Sequence, residues 1–530
     1  MIPSEIEEKI KEIIKKDFEK DINLFSITPP PHYVEEDAST NFGIIESKKN
    51  MLAIDEVYSK INKLLGENNF KTKILSGFIN IEFPPGIYEN YINRLLKEKK
   101  IFEKKENKCK KVIIEFVSAN PTGPLHLASA SGASLGDSLS NIMKELGYSV
   151  HKEYYVNNVG NQIEMLGLSL MARYNGNEPP ENGYHGDYLM EIARKLPPEA
   201  KKWDVKDFSN FAIKEIISDQ KEDLNLFGVI FDRWFYESEL YEKKLPDLIL
   251  NELIKKERVE EKEGAKWLKM DNADDKERVL VKSNGAKTYF LNDLAYHKNK
   301  YERGFDWIID IWGADHHGYI PRMKEGIKAL GLDETKFQVL IHQLVSVKKG
   351  EEILKMSKRS GRFYTLRHLI EEASKDAVRF FFTMRNPNTH LIFDMDLAKK
   401  QSSENPLYYV QYAHARISSI IENARLKGFE TNTIEGFGKY DITKDDRKIL
   451  KKIFWFEKIL NQSLKELSPH HITTYLIELA GEFHSYYERN RIIDETKTQE
   501  TKARLFILKG VKETIRKGLE IIGVSAPEKM

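Results

Sequence analysis

Apolar residues at helical spacing open the chain. Ile6, Ile10, Ile13 and Ile14 recur within an otherwise charged stretch, which predicts an amphipathic helix. Residues 51–65 predict a second helix, and residues 77–83 alternate apolar and polar like a half-buried strand. Two breaks interrupt them, Pro29-Pro30-Pro31 and Pro84-Pro85-Gly86. Together these elements predict a small α+β domain over residues 1–106. The Lys-rich stretch 99–111 reads as a polar linker after it.

A different pattern follows. Residues 112–117 are nearly all apolar and β-branched, as in a strand buried on both faces. Leu135, Leu139, Ile142, Met143 and Leu146 then mark one face of a helix, and Gly147 is placed to end it. Residues 148–156 read as the next strand, which completes a βαβ unit. Further buried strands are predicted over 307–312 and 337–347. A hairpin is predicted over 278–290, turning at Asn284-Gly285. Residues 165–270 look helical and charged, an insertion rather than part of a sheet. From Leu366 onward the periodicity is helical almost to the end. The predicted fold class is α/β: a Rossmann-type, doubly wound parallel sheet over 107–370, flanked by the N-terminal α+β domain and an all-α bundle over 371–530.

Composition narrows the function little. Lys and Arg number 83 against 82 Asp and Glu, for a net charge of +1, so nucleic acid would have to be met by local basic patches. The single cysteine, Cys109, excludes an intrachain disulfide and fits a reducing cytoplasm. The N-terminus lacks the apolar core of a signal peptide, and no apolar run is long enough to predict a membrane span.

The chemistry concentrates in a few places. The turn Asn120-Pro121-Thr122-Gly123-Pro124 leads into a helix start rich in small residues, Ala128, Ser129, Ala130, Ser131, Gly132 and Ala133. A helix N-terminus presents unpaired N–H groups to phosphate, and small residues admit a flat base. His126 stands at that start. Close helix–sheet packing demands the same small residues, and this segment alone leaves both readings open. Lys355-Met356-Ser357-Lys358-Arg359, between Gly350 and Gly361, places positive charge where a loop can close over a triphosphate. By itself such a sequence is commonly a solvated basic loop. Tyr289 and Asp293 share a helix face, and a carboxylate beside an aromatic ring cradles a guanidinium. A surface Asp beside a half-buried Tyr is the plainer alternative. Glu115 interrupts an apolar strand and needs a cation or several donors; a charged ligand is one way to supply them. Asp315-His316-His317 lacks a second ligand cluster, so it reads as a pocket lining and no metal site is expected.

These motifs, in order, resemble those of class I arginyl-tRNA synthetases over nearly the whole chain. The matching stretches are Glu115-Phe116-x-Ser118-x-Asn120-Pro-Thr-Gly-Pro-Leu-His126, residues 153–163, Tyr289-Phe-Leu-Asn-Asp293 and Lys355-Met-Ser-Lys-Arg359. Gln411-Tyr-Ala-His-Ala-Arg-Ile and the ending Gly523-Val-Ser-Ala-Pro-Glu-Lys-Met530 resemble the family's anticodon domain. The resemblance implies an N-terminal domain contacting the tRNA elbow. It also implies a two-step reaction, in which ATP and L-arginine form arginyl-adenylate and tRNA(Arg) then accepts the arginyl group. By the same resemblance, Glu115 and Ser118 hold the amino-acid head group, Asn120 lies close to the reacting carboxylate, and Tyr289 and Asp293 take the guanidinium. His126 and Lys358, assisted by Lys355, stabilise the phosphates, with Ala128, Ser129 and Ser357 also facing ATP. Mg²⁺ would come with the nucleotide. Tyr409, Tyr412, Tyr486 and Asn490 would meet the anticodon. A cytoplasmic monomer is expected.

One departure stands out. Where the family usually has His-x-Gly-His, this chain has His126-Leu127-Ala128-Ser129, and Ser131 stands where arginine is common. A lost donor of this kind costs ~3 kcal/mol unless compensated. Activity is expected to survive, because His126, the helix terminus and the lysine loop remain. The alternatives are a tRNA-binding relative that has lost adenylate chemistry, and a nucleotidyltransferase of the same fold acting on a small molecule.

Overall fold

The structure is a computed structural model and describes residues 1–18, 25–31, 33–98, 101–269, 279–354, 364–429 and 436–530. Helix α1 (Pro3–Lys15) buries the predicted isoleucine stripe. The N-terminal sheet is antiparallel, with β1 (Ile27–Thr28), β2 (Ala38–Thr40), β3 (Lys71–Leu75) and β4 (Phe78–Glu82) in the order β1-β2-β4-β3. Helices α2 (Phe42–Asn50) and α3 (Ile54–Gly66) pack on it, and α4 (Pro85–Lys97) leaves it. The stretch read as a polar linker is pinned: Ile101 and Phe102 are buried, with Phe102 against Phe456.

The central sheet has five parallel strands: β5 (Lys111–Glu115), β6 (Ser149–Val156), β7 (Arg233–Tyr236), β11 (Trp307–Gly313) and β12 (Phe337–His342). Their order is β12-β11-β5-β6-β7. The chain builds outward from β5 through β6 to β7, then returns to β5's other side. The β5/β11 boundary is therefore a topological switch point, where such sheets bind ligands beyond the strand ends. Helix α5 (Leu127–Glu145) links β5 to β6. Helices α6 (Asn161–Tyr174), α7 (Tyr188–Arg194) and α8 (Val205–Leu226) precede β7. After it come α9 (Ser238–Glu242), α10 (Leu245–Lys255) and a small sheet of β8 (Val259–Lys262), β9 (Ala265–Leu268) and β10 (Val279–Val281). Helix α11 (Tyr289–Glu302) leads to β11, and α12 (Ile320–Ala329) to β12.

Three expectations are corrected. The segment 165–270 is not wholly outside the sheet, because β7 is its edge strand. Only Phe235 of that strand is fully buried, too weak a signal against the surrounding helices. The apolar run 337–347 is two strands. β12 ends at His342, Leu344 is 70% exposed, and β13 (Val345–Lys349) joins β14 (Glu352–Leu354) and β15 (Leu391–Asp394) in a separate sheet. The turn at Asn284-Gly285 forms, with Gly285 at φ +81° and the Lys282 N–H bonded to the Ala286 carbonyl. Its return arm makes a single bridge before Thr288 caps α11, and β10 pairs with β9 instead.

Helices α13 (Leu366–Ala373), α14 (Lys375–Thr383) and α15 (Met395–Lys399) lead to a bundle of α16 (Pro406–Leu426), α17 (Lys444–Phe454), α18 (Phe456–Lys465), α19 (His470–Arg489) and α20 (Thr498–Ile521). The N-terminal sheet and this bundle share a core. Phe454 meets the rings of Phe83, Tyr88 and Tyr91, and Arg447 and the Trp455 indole both bond Asp37. Among the described residues, no helix is long and apolar enough to cross a membrane.

Candidate active site

Two carboxylates meet at the switch point because Glu115 on β5 and Asp310 on β11 are register partners on adjacent strands. Both are buried, and the cation between them comes from the protein. Lys300 Nζ, fully buried on α11, lies 2.5 Å from Glu115 and 2.7 Å from Asp310. His297, one turn earlier, bonds the other Asp310 oxygen at 2.8 Å. Burial raises the Glu115 carboxyl, with Lys300 opposing. Against the same burial, Lys300 and His297 hold Asp310 below its ordinary value. The partner that Glu115 demanded is thus Lys300, which sequence reading missed. The signal was present: Lys300 lies three residues after His297, on the face of α11 that also buries Leu294 and Tyr296.

Glu115 also organises the turn. Its other oxygen accepts from the Ser118 hydroxyl at 2.9 Å, and that hydroxyl accepts from the Tyr155 N–H at 3.1 Å. Val117 and Ser118 have φ of +70° and +37°, conformations that non-glycine residues avoid, above all a β-branched one. β5 therefore stops at Glu115 instead of running to Val117. The turn that follows is clasped from outside. Gln220 donates to the carbonyls of Gly123 and Asn120, Tyr188 donates to that of Thr122, and the Asn120 amide reaches Gln162 at 2.8 Å.

Helix α5 starts directly beyond, with extended His126 as its N-cap residue. Its first amides lack intrahelical acceptors by geometry and face the ligand side of the sheet. Ala128 is half-buried and Ser129 is 5% exposed. The small residues divide between two tasks. A Cβ at Gly136 would lie 2.2 Å from the Phe116 ring, so that glycine serves close packing, whereas one at Gly132 would make ordinary contacts. Lys355, Ser357 and Lys358 lie outside the described residues. The chain just after them is tied to the helix start: Thr365 bridges His126, and the Leu366 N–H bonds the Leu125 carbonyl at 2.8 Å.

An acidic pocket lies where the end of β7 meets α11. Asp293, on the second turn of α11, is bonded by the Tyr319 hydroxyl at 2.6 Å, and burial raises its carboxyl. Glu237, at the end of β7, is buried and faces it. Burial first, then Asp293, pushes Glu237 up to about 7. Its neighbours are polar but uncharged: Asn292, Tyr241, Tyr155 and, with its amide turned, Asn157. Tyr155 lies centrally, its hydroxyl raised by burial and then by Glu237, Asp293 and Glu115. Tyr289 is 68% exposed at the mouth, where its hydroxyl approaches Gly160. Glu237 was not singled out from the sequence. Its position just after the aromatic run Trp234-Phe235-Tyr236, at a strand's C-terminal end, was the available clue. Asp315, His316 and His317 form an exposed 3₁₀ turn after β11.

In the bundle, Tyr409 and Tyr412 on α16 surround His484, and Arg416 lies over the rings of Tyr412 and Tyr487. Tyr486 is different. It is fully buried and donates to Asp446, so its ring is not presented to a base; Tyr487 is the one at the surface side. Asn490 ends α19 and is tied to Asp445, Tyr486 and Arg504.

Comparison with known proteins is consistent along the chain. Residues 91–185 and 190–414 match the family model of the class I (R) tRNA synthetase catalytic domain, and residues 410–530 match the DALR anticodon binding domain. Over the whole chain the fold follows the Thermus thermophilus arginyl-tRNA synthetase, at a TM-score of 0.78 and 18% identity, covering 100% of both chains. A parallel sheet with a helix N-terminus at its switch point, joined to such a bundle, is that of a class I aminoacyl-tRNA synthetase. An arginine--tRNA ligase from Elusimicrobium minutum is 49% identical over 95% of both chains, and one from Geobacter sp. 39% identical over 96% of both. The chain belongs to the arginine--tRNA ligase family. These relatives are named as ligases, and nothing among them favours a binding protein without adenylate chemistry.

Proposed function

We propose that this chain charges tRNA(Arg) with L-arginine at the expense of ATP. The observation that carries the choice of amino acid is the Glu237–Asp293 pair. Two buried carboxylates face each other with raised pKa values, and neither is salt-bridged by a protein cation among the described residues; His297 and Lys300 only partly oppose the effect of burial on Asp293. A guanidinium supplies the missing charge and enough donors for both.

The arginine side chain lies in that pocket beneath Tyr289, and its α-ammonium approaches Ser118 and Glu115. Because Lys300 already pairs with Glu115, that carboxylate acts as a fixed, partly neutralised acceptor. Lys300 meets two carboxylates, so the network retains one negative charge for the ammonium to balance. Asn120 holds the reacting carboxylate. In the first step that carboxylate attacks the α-phosphorus of ATP, the bond to the β-phosphate bridging oxygen breaks, and pyrophosphate leaves. In the second, a hydroxyl of the terminal tRNA ribose attacks the arginyl carbonyl, and AMP leaves with the bonding pair. His126, the amides of α5 and the Ser129 hydroxyl stabilise charge on the phosphates, and Lys355, Ser357 and Lys358 complete that set. Ala128 lines the base.

Mg²⁺ belongs to this proposal as part of the nucleotide, whose phosphates are its ligands. No three His, Cys, Asp or Glu side chains converge on a metal-sized site among the described residues, so none is assigned to it. Residues 1–106, 107–370 and 371–530 are proposed as the elbow-contacting, catalytic and anticodon-binding parts. Tyr409, Tyr412 and Asn490 meet the anticodon, while Tyr486 supports the helix beneath them. Action as a monomer in the cytoplasm belongs to the same proposal, and the exposed free thiol of Cys109 suits a reducing compartment. The test is arginine-dependent ATP–pyrophosphate exchange with tRNA(Arg) present, run against other amino acids and citrulline. No exchange above background would overturn the proposal.

A further inference from the structure

Arg379 is the largest fully buried side chain outside the site just described, and it joins three distant parts of the chain. From α14, its guanidinium lies 2.6 Å from Asp137 on α5. It donates to the Ile522 carbonyl, at the end of the bundle's last helix, at 2.8 Å, and to the Phe227 carbonyl, at the end of α8, at 3.2 Å. Asn141, one turn beyond Asp137, donates to the Ile521 carbonyl at 3.0 Å. The last carbonyls of a helix lack intrahelical donors. Those of α20 are therefore capped by α5 itself and by the arginine that grips α5. Gly523 seals the contact: its φ is +70°, and a Cβ there would lie 2.2 Å from the guanidinium carbon. The tail beyond is fastened too, with the Ser525 N–H on Asp376 and the Pro527 carbonyl on His414.

We propose that Arg379 is a positioning residue that sets the rotation of α5, and so the aim of its N-terminus, by the seating of the C-terminal helix. This rests on the assignment of α5 to ATP. The packing of Gly136 on Phe116 fixes how far α5 stands from the sheet. Lys152 at 3.0 Å and Arg379 at 2.6 Å, on the Asp137 carboxylate, fix its rotation about its own axis. Asp137 lies roughly 15 Å along the helix from Leu127, and a helix transmits rotation as a rigid rod. Turning it by about 10° displaces groups at its surface by about 1 Å. An error of that size at a reacting phosphate costs up to about a hundredfold in rate. The bundle that would meet the anticodon thus ends on the helix that would meet ATP.

Three variants of the full-length chain test this. Asn141→Ala removes one carbonyl cap without adding bulk. Arg379→Lys keeps the charge at Asp137 but loses the fork that reaches the other two carbonyls. Gly523→Ala disturbs the same contact from the bundle side. In pyrophosphate exchange the expected result is a KM for ATP raised about tenfold and a lowered kcat. The KM for arginine and the dissociation constant for tRNA should stay within twofold, at temperatures below any melting shift. If Asn141→Ala and Arg379→Lys leave the ATP constants within twofold, or change the ATP and arginine constants alike, the proposal fails. Should Gly523→Ala not fold, the other two decide. Wild-type chain run alongside keeps the questions apart: absent exchange there overturns the assigned reaction. Calorimetric ATP affinity of variant against wild type still reads the effect on α5.

Discussion

Replacing Glu237 by glutamine isolates the charge that the proposed guanidinium pocket contributes. The side chain is buried, so its interactions are weakly screened. Raising its carboxyl from an ordinary 4.5 to about 7 corresponds to about 3 kcal/mol held against the charged form in the free protein. The folded state binds this proton more tightly than the unfolded chain does. The free protein is therefore most stable, as far as this group goes, below about pH 4.5. It loses that contribution as pH rises towards 7. Bound arginine reverses the balance by pairing the ionised carboxylate, so its affinity should rise with pH up to about 7 and then level. Glu237→Gln should remove this dependence and raise the KM for arginine about a hundredfold, a loss of about 3 kcal/mol of charge-assisted bonding. It should leave the free protein at pH 8 as stable as wild type or more so, since an uncompensated buried charge is gone. Exchange kinetics from pH 5.5 to 8.5, with melting curves with and without arginine, measure all three. Discrimination against citrulline, which lacks the positive charge, should narrow in the variant. A variant KM within threefold of wild type, with the same pH profile, would refute the reasoning.

Lys300→Met leaves Glu115 and Asp310 without their shared cation and should cost about 3–5 kcal/mol of stability. Adding Glu115→Gln should restore part of it, and a double-mutant cycle read by denaturant unfolding measures the coupling. Ser129→Ala should lower the exchange rate about two- to tenfold, the worth of one neutral hydrogen bond to phosphate; an unchanged rate would remove the hydroxyl from the site. Tyr412→Ala should weaken tRNA binding by about 1–3 kcal/mol with the melting temperature preserved. Tyr486→Phe should do the opposite, losing its bond to Asp446 and some stability while tRNA affinity holds.

The periodicities that were legible were those a single element imposes on itself. The isoleucine stripe of α1, the buried strand at 112–115, the α5 face ending at Gly147 and the Tyr289/Asp293 spacing on α11 all follow from one helix or strand choosing which face to bury. Glu115 was legible as a problem for the same reason, since a carboxylate in an apolar strand is costly wherever the strand lies. Its solution was not legible, because Lys300 is 185 residues away and reaches Glu115 only when α11 packs over the switch point. The same holds for Glu237, one glutamate among many until a parallel sheet brings the end of β7 near Asp293 on α11. Val117 reads as strand because its side chain prefers it; the turn forces a positive φ that Ser118, Tyr154 and Tyr155 hold in place. Tyr486 and Tyr487 differ by one position, and only the packing of α19 decides which ring is buried. The sequence by itself determined the element types, the likeness to a synthetase and the two carboxylates that need a cation. Which cation each one receives was decided by tertiary structure, because charge pairing depends on distances through space that local periodicity does not encode.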